Sequence, residues 1–90
     1  MPMDDIQFSE RGWEDFSYWM DVDRKTMNRI MKIIADIRRN GYQGIGKPEP
    51  LSGNLSGYWS RRIDEKNRIV YRLEGNIVKI IQCGSHYREK

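Results

Sequence analysis

Residues 58–83 read YWSRRIDEKNRIVYRLEGNIVKIIQC, and this stretch decides the fold. Three runs rich in β-branched and aromatic residues, Tyr58 to Ile63, Arg68 to Leu73 and Ile77 to Cys83, are separated by short polar turns at Asp64 to Asn67 and Glu74 to Asn76. Runs of this kind bounded by Asp, Asn and Gly are strands joined as hairpins, so the spacing predicts an antiparallel meander. In the middle strand Ile69, Tyr71 and Leu73 share one parity, which reads as the buried side, while Arg68, Val70 and Arg72 share the other. Arg62 shares its strand face with Tyr58 and Ser60. Whether Arg62 meets Arg68 depends on the hairpin register, which sequence alone does not fix.

Upstream, Asp4 to Phe8 predicts a short first strand, with Ile6 and Phe8 on one parity. Ser9 offers an N-cap to a helix that carries Glu10, Glu14 and Asp15 near its positive end and Trp13, Phe16 and Met20 at helical spacing. Gly12 weakens that helix. Asp21 or Asp23 caps a second helix, whose stripe runs through Met27, Ile30, Met31, Ile34 and Ile37 with Ile33 beside it. Arg38 and Arg39 suit its negative end and Gly41 its exit. Tyr42 to Gly57, rich in glycine and proline, predicts a long loop, and a loop of that length in a small domain is usually functional or mobile. The expected architecture is α+β over one domain, residues 1–90. Two N-terminal helices cover one face of an antiparallel sheet of about four strands, and the other face is left for a ligand.

Composition narrows the function classes. A hydrophobic content of 38% with 11% aromatic residues is globular rather than disordered. The formal charge of +3 is unevenly spread: residues 1–45 hold 7 basic and 8 acidic groups, residues 46–90 hold 9 and 5. The basic half favours a polyanion or an acidic protein as partner. One cysteine, Cys83, excludes an intramolecular disulfide, and one cysteine with one histidine falls short of a typical zinc set, so no metal or other cofactor is expected. Cys83 reads as a small packed residue. The acidic N-terminus lacks the features of a signal peptide and no run approaches a membrane span, so a cytoplasmic location is expected.

The same basic half holds the parts needed to cut RNA. Cleavage through a ribose 2'-hydroxyl requires a base for that proton, an acid for the leaving oxygen, and cations for the charge that develops on phosphorus. Glu49 sits between Pro48 and Pro50, which hold it on a stiff extended segment. His86 brings an imidazole with an ordinary pKa of about 6.5, and Arg62 and Arg68 bring planar forks for phosphate oxygens. Each has a plainer reading: a solvated acid in a proline-rich loop, a histidine near a chain end, and strand arginines in surface ion pairs. The single histidine excludes a mechanism with two catalytic histidines, whereas a glutamate and histidine pair remains open. Lys47, Tyr58 and Arg61 are further candidates for holding substrate. Trp13, Trp19 and Trp59 read as core or interface residues.

The run GKPEPLSGNLSGYWSRRIDEKNRIVYRL at residues 46–73, the terminal SHY, and FSERGWEDFSYWMDVD at residues 8–23 resemble the YoeB family of bacterial toxins, within the RelE and ParE toxin superfamily. The resemblance spans nearly the whole chain. It implies a RelE-like fold related to the microbial ribonucleases, and a toxin of a type II toxin-antitoxin system that cleaves mRNA in the ribosomal A site. It assigns Glu49 as general base, His86 as general acid, Arg62 and Arg68 as phosphate contacts, and Tyr87 as the neighbour that orients His86 or stacks on RNA. The implied partners are a YefM-like antitoxin, the ribosome with its mRNA, and a second copy of the chain in a homodimer. Two departures stand out: Ser52 occupies a position that is often lysine in relatives, and the chain continues past Tyr87 as Arg88, Glu89 and Lys90. The rival readings are a ParE-like gyrase inhibitor and a non-catalytic RNA-binding module. Glu49 and His86 argue against the first, and tolerance of Glu49→Gln would mark the second.

Overall fold

The computed structural model describes residues 5–85. The chain runs β1 (Asp5–Phe8), α1 (Glu10–Val22), α2 (Arg24–Asn40), β2 (Glu49–Pro50), β3 (Trp59–Arg62), β4 (Arg68–Glu74) and β5 (Ile77–Gly84), with a single 3-10 turn at Gly53–Leu55. These elements form one sheet of order β1-β5-β4-β3-β2 beneath the two helices. The α+β class and the three-strand meander match the sequence reading. The strand count and sense differ: the sheet has five strands and is mixed, because β1 pairs with β5 in parallel and Glu49–Pro50 adds a short strand along β3. A parallel pair needs a long crossover rather than a hairpin, and here everything between β1 and β5 supplies it.

Ser9 caps α1 by accepting from the Gly12 amide, and Asp23 caps α2 by accepting from the Lys25 and Thr26 amides. Of the two aspartates proposed for that cap, Asp23 performs it. Gly41, at φ 68, ends α2 in a conformation that favours glycine. The buried face of α2 is Ile30, Ile33, Ile34 and Ile37. Met31 lies off this stripe and is 52% exposed, which corrects its expected place in the core. These isoleucines pack on Ile69 and Tyr71 of β4 and on Val78, Ile80 and Cys83 of β5.

The parity of β5 switches along its length. Tyr71 pairs with Ile80 but Val70 pairs with Gln82, so Ile81 is an extra residue that forms a bulge. Val78 and Ile80 therefore face the core, as does Cys83 three residues beyond Ile80, while Gln82 and Gly84 move to the opposite face. Helix α1 lies close to this point. A Cβ at Gly12 would stand 2.6 Å from the Ile80 carbonyl oxygen. The glycine that weakens α1 as a helix is what lets it approach β5.

Candidate functional site

The register places the candidate residues in two rows on the sheet face opposite the helices. Glu49 pairs with Ser60, Ser60 with Val70 and Val70 with Gln82; two residues along, Arg62 pairs with Arg68 and Arg68 with Gly84. Partners across a sheet project to the same side. Arg61 reaches the core side, where it bonds Asp36 and Tyr71, so Ser60 and Arg62 must face away from it. Glu49 and Arg62 are one strand and two residues apart, about 8 Å between Cα atoms from standard strand spacing. Long side chains close that gap.

Arg62 donates its amide to Gly46 O at 2.6 Å, away from β4. The Arg62 and Arg68 pair is therefore of the non-hydrogen-bonded kind, in which opposed side chains stand closest. Arg62 is exposed and Arg68 half-buried. Arg68 Nη1 and Ser60 Oγ are buried on this face, and neither has a hydrogen-bond partner among the described residues. Two arginines opposed on neighbouring strands bring planar forks of the kind that can receive an anion such as a phosphate group.

Glu49 reaches this face because the preceding loop is built to turn there. Lys47 adopts φ 51, rare for a residue with a side chain, and follows Gly46 at φ 81. The chain then enters Pro48 and pairs with β3, where the Leu51 amide donates to Tyr58 O at 2.9 Å. Lys47 and Glu49 are both exposed at this edge. Tyr58 lies on the same face beyond Ser60, its ring 5.4 Å from the Arg72 guanidinium carbon. Arg72 also bonds Glu74 at 2.7 Å, and Lys79 reaches the same carboxylate oxygen at 2.8 Å. These two cations hold the Glu74 carboxyl below its ordinary range.

Arg61 corrects the sequence reading. It is fully buried and uses all five of its donors internally, so it has none to offer a substrate. Nε donates to Tyr71 Oη, Nη1 to Asp36 Oδ2 and Ile45 O, and Nη2 to Gly41 O and Gln43 O. The loop that carries Lys47 and Glu49 is thus wound around a buried guanidinium. Gly44, at φ 128, leaves the space that Asp36 occupies, since a Cβ there would overlap the carboxylate. Burial raises the Asp36 pKa, but hydrogen bonds from Arg61, the Ile45 amide and Asn40 outweigh it and hold the carboxyl below its usual value. Nothing local in RRI distinguishes a buried arginine from an exposed one. The alternation of the strand was the available signal, because it puts Arg61 and Ile63 on the same side.

His86 and Tyr87 lie outside the described residues. The chain leading to them is fixed by α1. Asp15 Oδ2 accepts from the Cys83 amide at 2.9 Å, and Trp19 Nε1 donates to Cys83 O at 2.7 Å. Trp59 stacks on Tyr42 at the core margin, whereas Trp13 is 54% exposed. No group of three or more potential metal ligands occurs among the described residues. A groove of about 350 Å3 lined by Lys25, Thr26, Arg29, Ile63 and Asp64 opens at the end of β3, and the two rows lie outside it on the sheet surface.

Two helices on a mixed five-stranded sheet, with Glu49, Arg62 and Arg68 on the face away from the helices, make up a RelE-like fold. The chain matches the family model for the YoeB-like toxin of bacterial type II toxin-antitoxin systems over residues 8–87, and it belongs to that family. It is 51% identical to Toxin YoeB of Streptomyces coelicolor, covering 91% of this chain and 98% of the relative. It is 49% identical to Toxin RelK of Mycobacterium tuberculosis, covering 94% and 100%. The YoeB/ParE toxin from Agrobacterium tumefaciens superimposes with a TM-score of 0.89 at 37% identity, covering 93% of this chain and all of the other. The toxin in the YoeB-YefM heterotetramer from Staphylococcus aureus gives 0.87 at 44%, covering 92% and 97%. YafQ from Escherichia coli, at 18% identity and a TM-score of 0.77 over 92% and 93% of the two chains, shares the fold.

Proposed function

We propose that this toxin is a ribosome-dependent endoribonuclease that cuts mRNA in the ribosomal A site and so stops translation. The observation that carries the reading is the opposition of Arg62 and Arg68 on the sheet face that also bears Glu49. The Glu49 carboxylate takes the proton from a ribose 2'-hydroxyl. The 2'-oxygen attacks phosphorus, the bond to the 5'-oxygen breaks, and His86 donates its proton to that oxygen. The upstream fragment keeps a 2',3'-cyclic phosphate and the downstream fragment a 5'-hydroxyl. Arg68 and Arg62 hold the charge that builds on the non-bridging oxygens, which is stronger work for guanidinium forks in a partly dry site than in water. Tyr87 orients His86, while Lys47 and Tyr58 hold the strand on either side. General acid and base steps of this kind each contribute about 10²- to 10⁴-fold.

The antitoxin is a YefM-like protein, as in the Staphylococcus aureus complexes, and an acidic segment of it covers the arginine face. The toxin works in the cytoplasm, and no helix among the described residues is long and apolar enough to cross a membrane. Homodimerisation follows the YoeB dimer known from Staphylococcus aureus.

The test is a bacterial translation reaction programmed with a defined message, with 5' ends mapped by primer extension. New ends on ribosome-bound message, absent with Glu49→Gln, with His86→Gln and on ribosome-free RNA, are the expected result. Arrest of growth without new ends, or full toxicity of Glu49→Gln, would transfer the reading to gyrase inhibition or RNA binding.

A further inference from the structure

We infer that the outward face of α2 is a second RNA-binding surface, which docks the toxin on the RNA of the ribosome; the inference rests on the reading of the toxin as ribosome-dependent. Helix α2 carries the cations Arg24, Lys25, Arg29, Lys32, Arg38 and Arg39 against a single acid, Asp36. Asp36 is buried in an ion pair with Arg61, so the charged groups on the outward face of α2 are all cations. Lys25, Lys32 and Arg39 are exposed and recur every seventh residue. At 3.6 residues per turn and a rise of 1.5 Å, that spacing keeps them in one row with about 10 Å between neighbours. Asn28 and Ala35, exposed beside the row, are short and leave it open to close approach.

Folding does not account for this arrangement. The first turn of α2 holds Arg24 and Lys25 and no acid, although cations at that end oppose the helix dipole. Lys25 and Arg29 are four residues apart and Arg29 and Lys32 three, spacings at which like charges destabilise a helix. Asp23 and Asp64, at this end of the helix, are held by the α2 cap and by the turn after β3. Cations that cost the fold stability and gather on one face fit an anionic partner. Composition favours RNA over an acidic protein. Protein interfaces are poor in lysine and centre on apolar anchors, and the row has none, since exposed Met31 projects about 100° round the helix from Lys32. Cations without apolar anchors suit a phosphate backbone. The row lies on the opposite side of the sheet from Arg62 and Arg68. Arg29, which lines the groove at the end of β3 with Lys25, also donates to Arg62 O at 3.4 Å and so ties the helix to the strand of the candidate site. Message on one face and ribosomal RNA on the other gives cleavage that depends on the ribosome.

Co-sedimentation of the Glu49→Gln toxin with vacant bacterial ribosomes at several salt concentrations tests this without cleavage. Lys25→Gln, Lys32→Gln and Arg39→Gln, combined in that chain, remove the row and keep side chains that favour helix. The dissociation constant should rise about 10-fold or more, and the slope of log K against log salt should lose roughly one for each cation removed. A thermal melt checks folding; if the triple variant does not fold, Lys32→Gln alone decides, with a loss of about one in the slope. With Glu49 restored, cleavage by the triple variant should fall at limiting programmed ribosomes and recover as their concentration rises. Unchanged affinity and salt slope in the folded variant would overturn the inference. Unchanged ribosome affinity with lost binding to polyglutamate would give the face to an acidic protein and overturn it as well. If the toxin with Glu49 intact cuts no message on ribosomes, the proposed nuclease activity fails, and the binding measurement still reports whether the α2 row holds RNA.

Discussion

Arg62 and Arg68 stand directly opposite each other on β3 and β4, two like charges in the closest kind of antiparallel pair. Opposed like charges destabilise a sheet by about 0.2–1 kcal/mol, and a bound anion relieves them. Arg62→Gln should therefore raise the melting temperature by a few degrees at low salt while weakening RNA binding. Because Arg62 is exposed, added salt should shrink the gain. Inorganic phosphate should raise the melting temperature of the wild type more than that of the variant. A melt of both proteins in low salt, high salt and phosphate checks this, and a variant less stable than wild type at low salt would show that the repulsion is absent.

Arg61 supports the loop rather than the substrate. Removing one partner of a buried, hydrogen-bonded ion pair costs about 3–5 kcal/mol, a large part of the roughly 5–15 kcal/mol that holds a small domain together. Arg61→Met should leave the chain largely unfolded at 37 °C by circular dichroism. Arg61→Lys should rescue it poorly, since an ammonium supplies three donors to a cage of five acceptors. Retention of the wild-type urea midpoint by either variant would contradict this role.

Asp36 makes the same cage sensitive to acid. Its folded pKa lies below the ordinary value of 3.8, so the stability it contributes is present above that pH and is lost as the pH falls through the folded value. Asp64, lowered by its bonds to Asn67 and Lys66 against an opposing desolvation effect, acts in the same direction. Urea midpoints should be level above about pH 5 and fall below about pH 4. Asp36→Asn should flatten part of that fall. An equal acid slope in Asp36→Asn would assign it to other carboxylates.

Cys83 should be chemically silent. Burial, followed by the neighbouring Asp15 carboxylate, pushes its thiol up to about 12. The thiolate is the reactive form. A disulfide reagent at pH 8 should label the native toxin only at the rate of opening, and urea should expose the thiol at once. The same raised pKa removes stability as the pH climbs from 9.0 toward about 12, because the unfolded thiol ionises first. Rapid native labelling would show that the end of β5 is open.

Gly12 should not accept a side chain, although alanine favours helix. Its Cβ would meet a backbone oxygen, Ile80 O, which has no rotamer by which to move aside. Gly12→Ala is expected to destabilise by about 1–3 kcal/mol, the usual cost of overpacking, read as a lowered urea midpoint. A stabilised variant would mean that α1 can lift from β5 at no cost.

Much of this molecule was legible locally. The isoleucine stripe of α2, an aspartate cap at Asp21 or Asp23, its Gly41 exit, and the three strands of the meander are short-range patterns that the backbone turns directly into structure. The conformity of Glu49, Arg62 and Arg68 with a family pattern was legible as well, but not that their register would bring them to one face. Arg61 and Arg62 are neighbours with the same chemistry, and alternation along β3 sends one into the core and the other to the opposite face. The parallel pairing of β1 joins residues more than seventy positions apart, which no window of sequence contains.

The sequence by itself determined the helices, the three strands of the meander and the stock of groups available for phosphate chemistry, because those depend on periodicity and residue type. Only the tertiary structure decided which arginine is buried, where the bulge at Ile81 turns β5 over, and how Asp15 and Trp19 grip Cys83. Those outcomes depend on strand register and on a helix closing over a sheet edge, which are set by the packing of distant segments against one another.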